Sequence, residues 1–257
     1  MTSMFDLSGK IALVTGAGSG IGREIAIKCA EAGSHVYITD VNPETANQTC
    51  DIILKFGGTA QSLKLDISDL CCCEKVAEKI ISDRGRLDIL VNNAGVGCVG
   101  NIENTSPEDM KRLLEVNVMG LFNLTKQFIP SMVQKKSGSI INLSSIGGLV
   151  GVPDRFAYCA TKFAVTGMTK SLSLDYAPHQ IRVNCICPGR VETPWVAARL
   201  SEYDDPESAR EQMTSTQPLG RMGRPDEIAW AAVYLASDEA SFVTGAEFNI
   251  DGGWNAG

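Results

Sequence analysis

Histidine is nearly absent from this 257-residue sequence, which holds only His35 and His179. Neither has the cysteine or acidic company that a metal site needs, so both read as structural and no metal is expected. Cysteine is more plentiful at nine residues, yet Cys71, Cys72 and Cys73 are consecutive and Cys185 and Cys187 are one residue apart. That leaves no Cys-x-x-Cys pair for zinc or redox work, and free thiols in a reducing cytoplasm are the simpler expectation. Basic residues are outnumbered, 23 against 30 acidic, so the net charge of -7 supplies no cationic field to gather nucleic acid. No stretch of roughly 18 uncharged apolar residues occurs, and the opening MTSMFDLSGKIALV lacks a basic segment leading into an apolar one. A cytoplasmic protein with no membrane span is expected.

What the sequence does have is alternation. Short apolar, β-rich runs at 11–15, 35–39, 60–65, 87–91, 139–143, 181–186 and 247–250 read as strands buried on both faces. Between them, helical periodicity fits 21–32, 43–56, 70–84, 107–134, 157–176 and 225–236. This pattern predicts an α/β fold: a single-domain, Rossmann-type, doubly wound parallel sheet of about seven strands, spanning residues 1–257. After Pro188 two short helical stretches, 193–201 and 206–214, interrupt the alternation before the last helix and strand. That insertion, about 190–216, is the natural substrate lid.

The first predicted strand ends in Thr15-Gly16-Ala17-Gly18-Ser19-Gly20-Ile21-Gly22, and a helix opens at once. Glycines at Gly16, Gly20 and Gly22 let the backbone turn tightly and approach a pyrophosphate, whose charge sits against free N–H groups and the positive end of the helix dipole. The spacing is GxxxGxG, with Gly18 as an extra, and the segment alone is also compatible with a tight structural turn. The second strand ends at Asp40, about 20 residues further on, where a Rossmann carboxylate bonds the adenosine ribose hydroxyls. A 2′-phosphate there would face that carboxylate: two unit charges at about 4 Å and an effective dielectric of about 20 repel by roughly 4 kcal/mol. NAD is therefore expected over NADP; Arg23, which could argue otherwise, sits on a helix and can as well be a surface residue.

Tyr158 and Lys162, in Tyr-Cys-Ala-Thr-Lys, lie four residues apart and so share one helix face. An unperturbed tyrosine has a pKa of about 10, so acid/base work near neutrality needs its phenolate stabilised, and a lysine cation one turn away would do so. Such a pair is ordinary on its own. Together with TGAGSGIG, Asn92-Asn93-Ala94-Gly95 and Pro188-Gly189 it makes the sequence resemble the short-chain dehydrogenase/reductase family over essentially its whole length.

The resemblance implies roles residue by residue. Tyr158 would be the general acid/base; Lys162 would hold the nicotinamide ribose and lower the tyrosine pKa; Ser145 would bond the substrate oxygen, with Ser144 structural; Asn117 would help to hold a proton-relay water. Around the dinucleotide would lie Gly16, Ser19, Gly20, Ile21 and Gly22 at the phosphates, and Asp40, Asp66 and Ile67 at the adenosine. Asn93, Ala94 and Gly95 would pass under its ribose, and Pro188, Gly189, Val191 and Thr193 would line the nicotinamide. It also implies a homotetramer paired through the two long helices and the C-terminal region.

For the substrate, Arg155 lies one helical turn before Tyr158 and Arg199 falls in the lid, so the two could clamp a carboxylate; Arg190 is a third candidate, and the sequence does not decide among them. The segment 188–210 resembles the branch with cytosolic 3-hydroxybutyrate dehydrogenases and sugar or sugar-acid dehydrogenases. Small hydroxy acids, sugars and sugar acids are the expected substrates. The alternatives are a 3-oxoacyl-carrier-protein reductase, against which Asp40 and the negative charge count, and a non-catalytic dinucleotide-binding scaffold, which would be expected to lack Ser145, Tyr158 or Lys162. Trp195, Trp230 and Trp254 read as packing residues, although Trp195 could close over a substrate.

Overall fold

The computed structural model describes residues 4–256. Seven strands form one sheet in which every neighbouring pair runs parallel. They are β1 (Ile11–Thr15), β2 (His35–Asp40), β3 (Thr59–Lys64), β4 (Ile89–Asn92), β5 (Gly138–Leu143), β6 (Ile181–Pro188) and β7 (Glu247–Ile250). Their order across the sheet is β3-β2-β1-β4-β5-β6-β7. The winding direction therefore reverses between β1 and β4, which opens a crevice at the carboxyl ends of those strands, where such sheets bind ligands.

The central strands are apolar along their length because helices cover both faces. One core joins Val14, Val36, Val91 and Ile141 to Ile25 of α1 (Gly20–Glu31), Ile53 of α2 (Pro43–Lys55) and Val233 of the last helix, Pro225–Ala236. The other joins Leu13, Leu90 and Ile140 to Ile80 of α3 (Leu70–Arg84) and Phe128. Helix starts follow local chemistry: Asn42-Pro43, Ser106-Pro107, Thr193-Pro194 and Asp205-Pro206 each pair a capping side chain with a proline at the first helical position. The edge strand β3 is only half-buried, as its sequence TAQSLK allows.

The long helix expected at 107–134 is helical throughout, running as α4 (Pro107–Leu114), a π-helical turn (Glu115–Gly120) and α5 (Leu121–Lys135). Hydrophobic periodicity cannot register the one extra residue that the π turn accommodates, so that turn is not visible in the sequence; π turns of this kind concentrate at functional sites. The helix 157–176 is α6 (Phe156–Tyr176), and the segment expected to be a lid holds α7 (Pro194–Leu200) and α8 (Pro206–Ser215), which share a small core of Val196, Leu200, Ala209, Met213 and Met222.

At the opposite, amino-terminal edge of the sheet, buried Asp88 ties β1 to β4. Its Oδ2 accepts from the Ile11 amide at 2.8 Å and from Arg86 Nε at 3.0 Å, while Oδ1 pairs with Lys135. Burial pushes its pKa up, but the bonds from Lys135, Ile11 and Arg86 together outweigh that and hold it below the usual value. Asp88→Ala should lower the unfolding free energy by about 2 kcal/mol, since the Ile11 amide loses its buried partner while both cations can turn to water. A carboxylate depressed in the folded state contributes above its unfolded pKa, about 3.9, and its contribution fades as pH falls through the folded value. Urea unfolding at neutral pH should thus separate wild type from variant, and at pH well below about 4 the two should converge.

Candidate active site

The glycine-rich segment turns from β1 into α1 beside the crevice. Gly16 has φ +60°, and a Cβ there would stand 2.8 Å from the Ala94 Cα, so only glycine lets these two turns meet. Asn93 fastens the contact from the other side, its Nδ2 donating to the carbonyls of Thr15 at 2.8 Å and Gly16 at 3.1 Å. Thr15 Oγ1 in turn accepts from the Asn93 and Ala94 amides. Helix α1 then begins without a side-chain cap and with no acidic residue in its first turn, although its N-cap position is Ser19. In α2, α3 and α4 a side chain does this job. The amides at Ser19, Gly20 and Ile21 therefore keep both their donors and the positive dipole end for an outside anion.

Asp40 stands at the end of β2 against this loop. Its Oδ2 accepts from the Gly18 amide at 3.0 Å and its Oδ1 from the Asn42 amide at 3.0 Å. A Cβ on Gly18 would come within 2.7 Å of that Oδ2, so Gly18, an extra in the glycine spacing, is the residue that admits the carboxylate. Arg23 is tied down, donating to Thr49 Oγ1 at 3.1 Å and to the Gly18 carbonyl. Asp66 accepts from Ser68, and Ile67 lies buried against Gly120, beside the same strand ends. Together, the uncapped helix start, the glycine cradle and the carboxylate bonded to the loop fit a dinucleotide laid across the sheet edge.

Next to the loop is a cleft of about 310 Å³. Its walls include Ile21, Asn93, Gly95, Ser145, Tyr158 and Lys162, and Pro188, Gly189, Val191 and Thr193 close the far side. Thr193 is engaged by its own helix, capping α7 by accepting from the Val196 amide, and its Cγ2 lies 3.4 Å from where a Cβ on Gly20 would be. The lid is thereby anchored directly over the glycine loop.

Helix α6 delivers Tyr158 and Lys162 from its first two turns, and hydrogen bonds beneath the cleft fix its placement. Ser144 Oγ donates to the Lys162 carbonyl at 3.0 Å and lies 3.0 Å from Thr166 Oγ1; Asn142 Nδ2 donates to Thr169 Oγ1 at 2.9 Å; Asn92 Nδ2 donates to Asn142 Oδ1 at 2.9 Å and to Thr125 at 3.0 Å. All these groups are buried. Ser145 accepts from the Gly147 amide at 3.1 Å, which aims its hydroxyl into the cleft wall.

Lys162 is 6% exposed, and its ammonium donates to the Leu143 carbonyl at 2.7 Å, 5.7 Å from the Tyr158 ring centre. Burial depresses its pKa to about 8. Burial likewise pushes the Tyr158 phenol above its ordinary value, with the Ser145 hydrogen bond and the Arg155 charge pulling the other way. Against the expectation that Lys162 lowers the tyrosine pKa, the groups that pull the phenol down here are Ser145 and Arg155, while the Lys162 ammonium donates to a main-chain carbonyl. A cation held without a carboxylate costs stability wherever the unfolded lysine binds a proton and the folded one does not, so wild-type stability should rise as pH climbs from about 8 towards about 10.4. Lys162→Met should melt at or above the wild-type temperature at neutral pH and lose that rise, as scanning calorimetry would show.

Asn117 sits in the π turn, 3% exposed, with its amide fully used: Oδ1 accepts from the Val96 amide at 2.8 Å, and Nδ2 donates to the Val96 carbonyl and to Thr161 Oγ1 at 3.0 Å. It thus bolts the loop after β4 to α6.

Of the arginines, Arg155 lines the cleft and Arg199 does not. Arg199 pairs with Glu202, one turn further along, and stacks over Tyr203. As a cleft residue it is a misplacement corrected by the helix geometry, which puts it on the side of α7 that faces an acid of its own lid. Arg190 takes its place in the cleft wall, under Trp254. Trp254 and Cys98 are cleft residues that the sequence reading missed. The signal for Trp254 lay in Gly252 and Gly253, whose positive φ values of 64° and 92° turn the chain end back on itself. Trp195 is half-exposed and packs against Gly97 at the cleft rim. Among the described residues no cluster of His, Cys, Asp and Glu could hold a metal, and no helix is long and apolar enough to cross a membrane.

A seven-stranded parallel sheet with this loop and this cleft defines an oxidoreductase fold of the Rossmann type. The chain belongs to the short-chain dehydrogenase/reductase family: the family profile described as enoyl-(acyl carrier protein) reductase matches residues 16–255. It is 43% identical over 251 residues to an uncharacterized oxidoreductase of Thermotoga maritima, covering 98% of this chain and 99% of that one. It is 39% identical to the 3-oxoacyl-[acyl-carrier-protein] reductase of the same organism, covering 96% and 98%. The structure of a provisionally named NAD(P)-dependent gluconate 5-dehydrogenase from Beutenbergia cavernae, with NADP bound at low occupancy, is similar with TM-score 0.93 and 36% identity, covering 99% and 100%.

Proposed function

We propose that this chain is an NAD(H)-dependent oxidoreductase that interconverts a secondary alcohol and a carbonyl on a small hydroxy acid, sugar or sugar acid. The observation that carries the reading is the convergence of Ser145, Tyr158 and Lys162 in one cleft that continues into an uncapped, glycine-cradled helix start. Bound nicotinamide supplies the hydride chemistry. In oxidation the Tyr158 oxygen takes the hydroxyl proton and in reduction it returns it, while Ser145 donates a hydrogen bond to the substrate oxygen as charge develops there. Lys162 holds the ribose hydroxyls with the donors not given to Leu143. Because both polar ends of the Asn117 side chain are occupied, its part in a proton relay falls to its main chain within the π turn.

The likeness to a gluconate dehydrogenase and the modest cleft support a substrate of a few carbons. A screen of short hydroxy acids, sugar acids, sugars and polyols with NAD+ tests the reading: NADH should form with at least one, and formation with none would remove it. A 3-oxoacyl-carrier-protein reductase is the second reading, favoured by the Thermotoga maritima relative. Asp40 and the net charge of -7 count against it, and strong turnover of a 3-oxoacyl thioester with NADPH but not NADH would establish it. Exposed Met119, Phe122, Phe163 and Leu174 along the π turn, α5 and α6 support assembly as a homotetramer. Light scattering should give four times the 27.5 kDa chain mass, and a value equal to one chain would refute it.

A further inference from the structure

We infer that Arg190 and Arg155 form a carboxylate-binding pair at the substrate end of the cleft, so that the physiological substrate is an acid rather than a neutral polyol. This rests on the reading that Ser145 and Tyr158 face the reacting carbon. Six of the other arginines, Arg86, Arg112, Arg199, Arg210, Arg221 and Arg224, have a carboxylate within 4.0 Å. Among the described residues Arg23, Arg84, Arg155, Arg182 and Arg190 have none, and of these five Arg155 and Arg190 line the same cleft as Ser145 and Tyr158.

Arg190 is held in place without being satisfied. Its backbone amide donates to Gln217 Oε1 at 2.9 Å, and its guanidinium lies 5.5 Å from the Trp254 ring centre. Stacking of that kind fixes the plane of the group while leaving its edge free for a bidentate partner. Its Nε is shut off from solvent and makes no hydrogen bond, and the same is true of the Gln217 Nε2 beside it. Arg155 spends one nitrogen on the Asp154 carbonyl at 2.8 Å and keeps the rest. Two buried or half-buried donor groups left without acceptors are costly, and two like charges sharing one cleft repel. Burial first and then the charge of Arg155 depress the pKa of Arg190, so each guanidinium feels the other. An anion between them relieves both penalties at once, and a planar carboxylate matches the fork geometry of arginine.

The pairing also sets a direction. With the carboxylate at Arg190 and Arg155 and the hydroxyl-bearing carbon at Ser145 and Tyr158, the acid is held by one end and reacts at the other. Trp254, missed in the sequence, then acts as a positioning residue, since it orients Arg190.

Calorimetric titration with malonate, which carries carboxylates but no oxidisable alcohol, tests the pair without turnover. Malonate should bind the wild-type protein, malonamide should not, and Arg190→Met and Arg155→Met should each weaken malonate by at least about 10-fold. NADH affinity, followed by fluorescence, should change less than about twofold in both variants, which shows the fold and cofactor site intact. Malonate binding that is absent in wild type or unchanged in Arg190→Met overturns the proposal, as does a loss of malonate and NADH in equal measure. A protein that holds malonate through both arginines but never binds NADH would support the anion site and count against the reaction reading alone. In turnover, Arg190→Met should cost about 30-fold or more in kcat/KM for D-gluconate and little for neutral D-glucitol.

Discussion

Tyr158→Phe should reduce kcat by at least about a thousandfold while leaving NADH affinity within about twofold of wild type. The substitution removes one oxygen and nothing else. Helix α6 is held by Ser144, Thr166, Thr169 and Asn142, none of which touches the phenol oxygen, so the ring should stay where it is. What disappears is the hydroxyl proposed to exchange a proton with the substrate oxygen. Because burial raises the phenol above its ordinary value, oxidation, which needs the deprotonated oxygen, should speed up as pH rises, and reduction, which needs the proton, should slow down. Steady-state rates in both directions check this. A variant that keeps more than about a tenth of wild-type kcat would mean that the proton moves by another route.

The second large effect concerns the cofactor. In wild type, kcat/KM with NAD should exceed that with NADP by about 100-fold or more, and Asp40→Ser should lower that ratio by about 100-fold. Bare repulsion between Asp40 and a 2′-phosphate corresponds to roughly three powers of ten, and solvent relaxation at a half-buried site reduces it. The carboxylate cannot swing aside, because each of its oxygens accepts a main-chain N–H, from Gly18 and from Asn42. Arg23, a cation beside this loop, is occupied by Thr49 and the Gly18 carbonyl. The NADP bound to the Beutenbergia cavernae structure makes this the sharpest way in which the chain is proposed to differ from a relative. Parallel kinetics with both cofactors decide it: a serine variant with an unchanged ratio would show that Asp40 does not select, and equal losses with both would show that the loop had been disturbed.

Most of the fold could be read in advance because a parallel sheet writes its strands as apolar runs and its helices as amphipathic stretches. The parallel seven-stranded sheet and the tight turn after β1 follow from that alternation and from Gly16, Gly20 and Gly22. Three features could not be read. The π turn at Glu115–Gly120 leaves the hydrophobic period almost unchanged, so nothing marked where the helix would widen. The choice between Arg190 and Arg199 depended on which side of a seven-residue helix faced the cleft, and Glu202, close by in sequence, claimed Arg199. The placement of the Lys162 ammonium against the Leu143 carbonyl is a contact across 19 residues of chain that no local pattern reveals. In each case the missing information was a geometry that residue type and spacing do not carry.

These residues act in concert only if a dinucleotide lies where the loop, the carboxylate and the cleft line up. The crystal structure of the NAD+ complex tests that alignment most directly. The predicted result has the adenosine ribose bonded to Asp40, the pyrophosphate against the amides of Ser19, Gly20 and Ile21, and the nicotinamide between Val191 and the Tyr158 hydroxyl. A dinucleotide bound with its nicotinamide away from Tyr158, or bound elsewhere on the protein, would contradict the account.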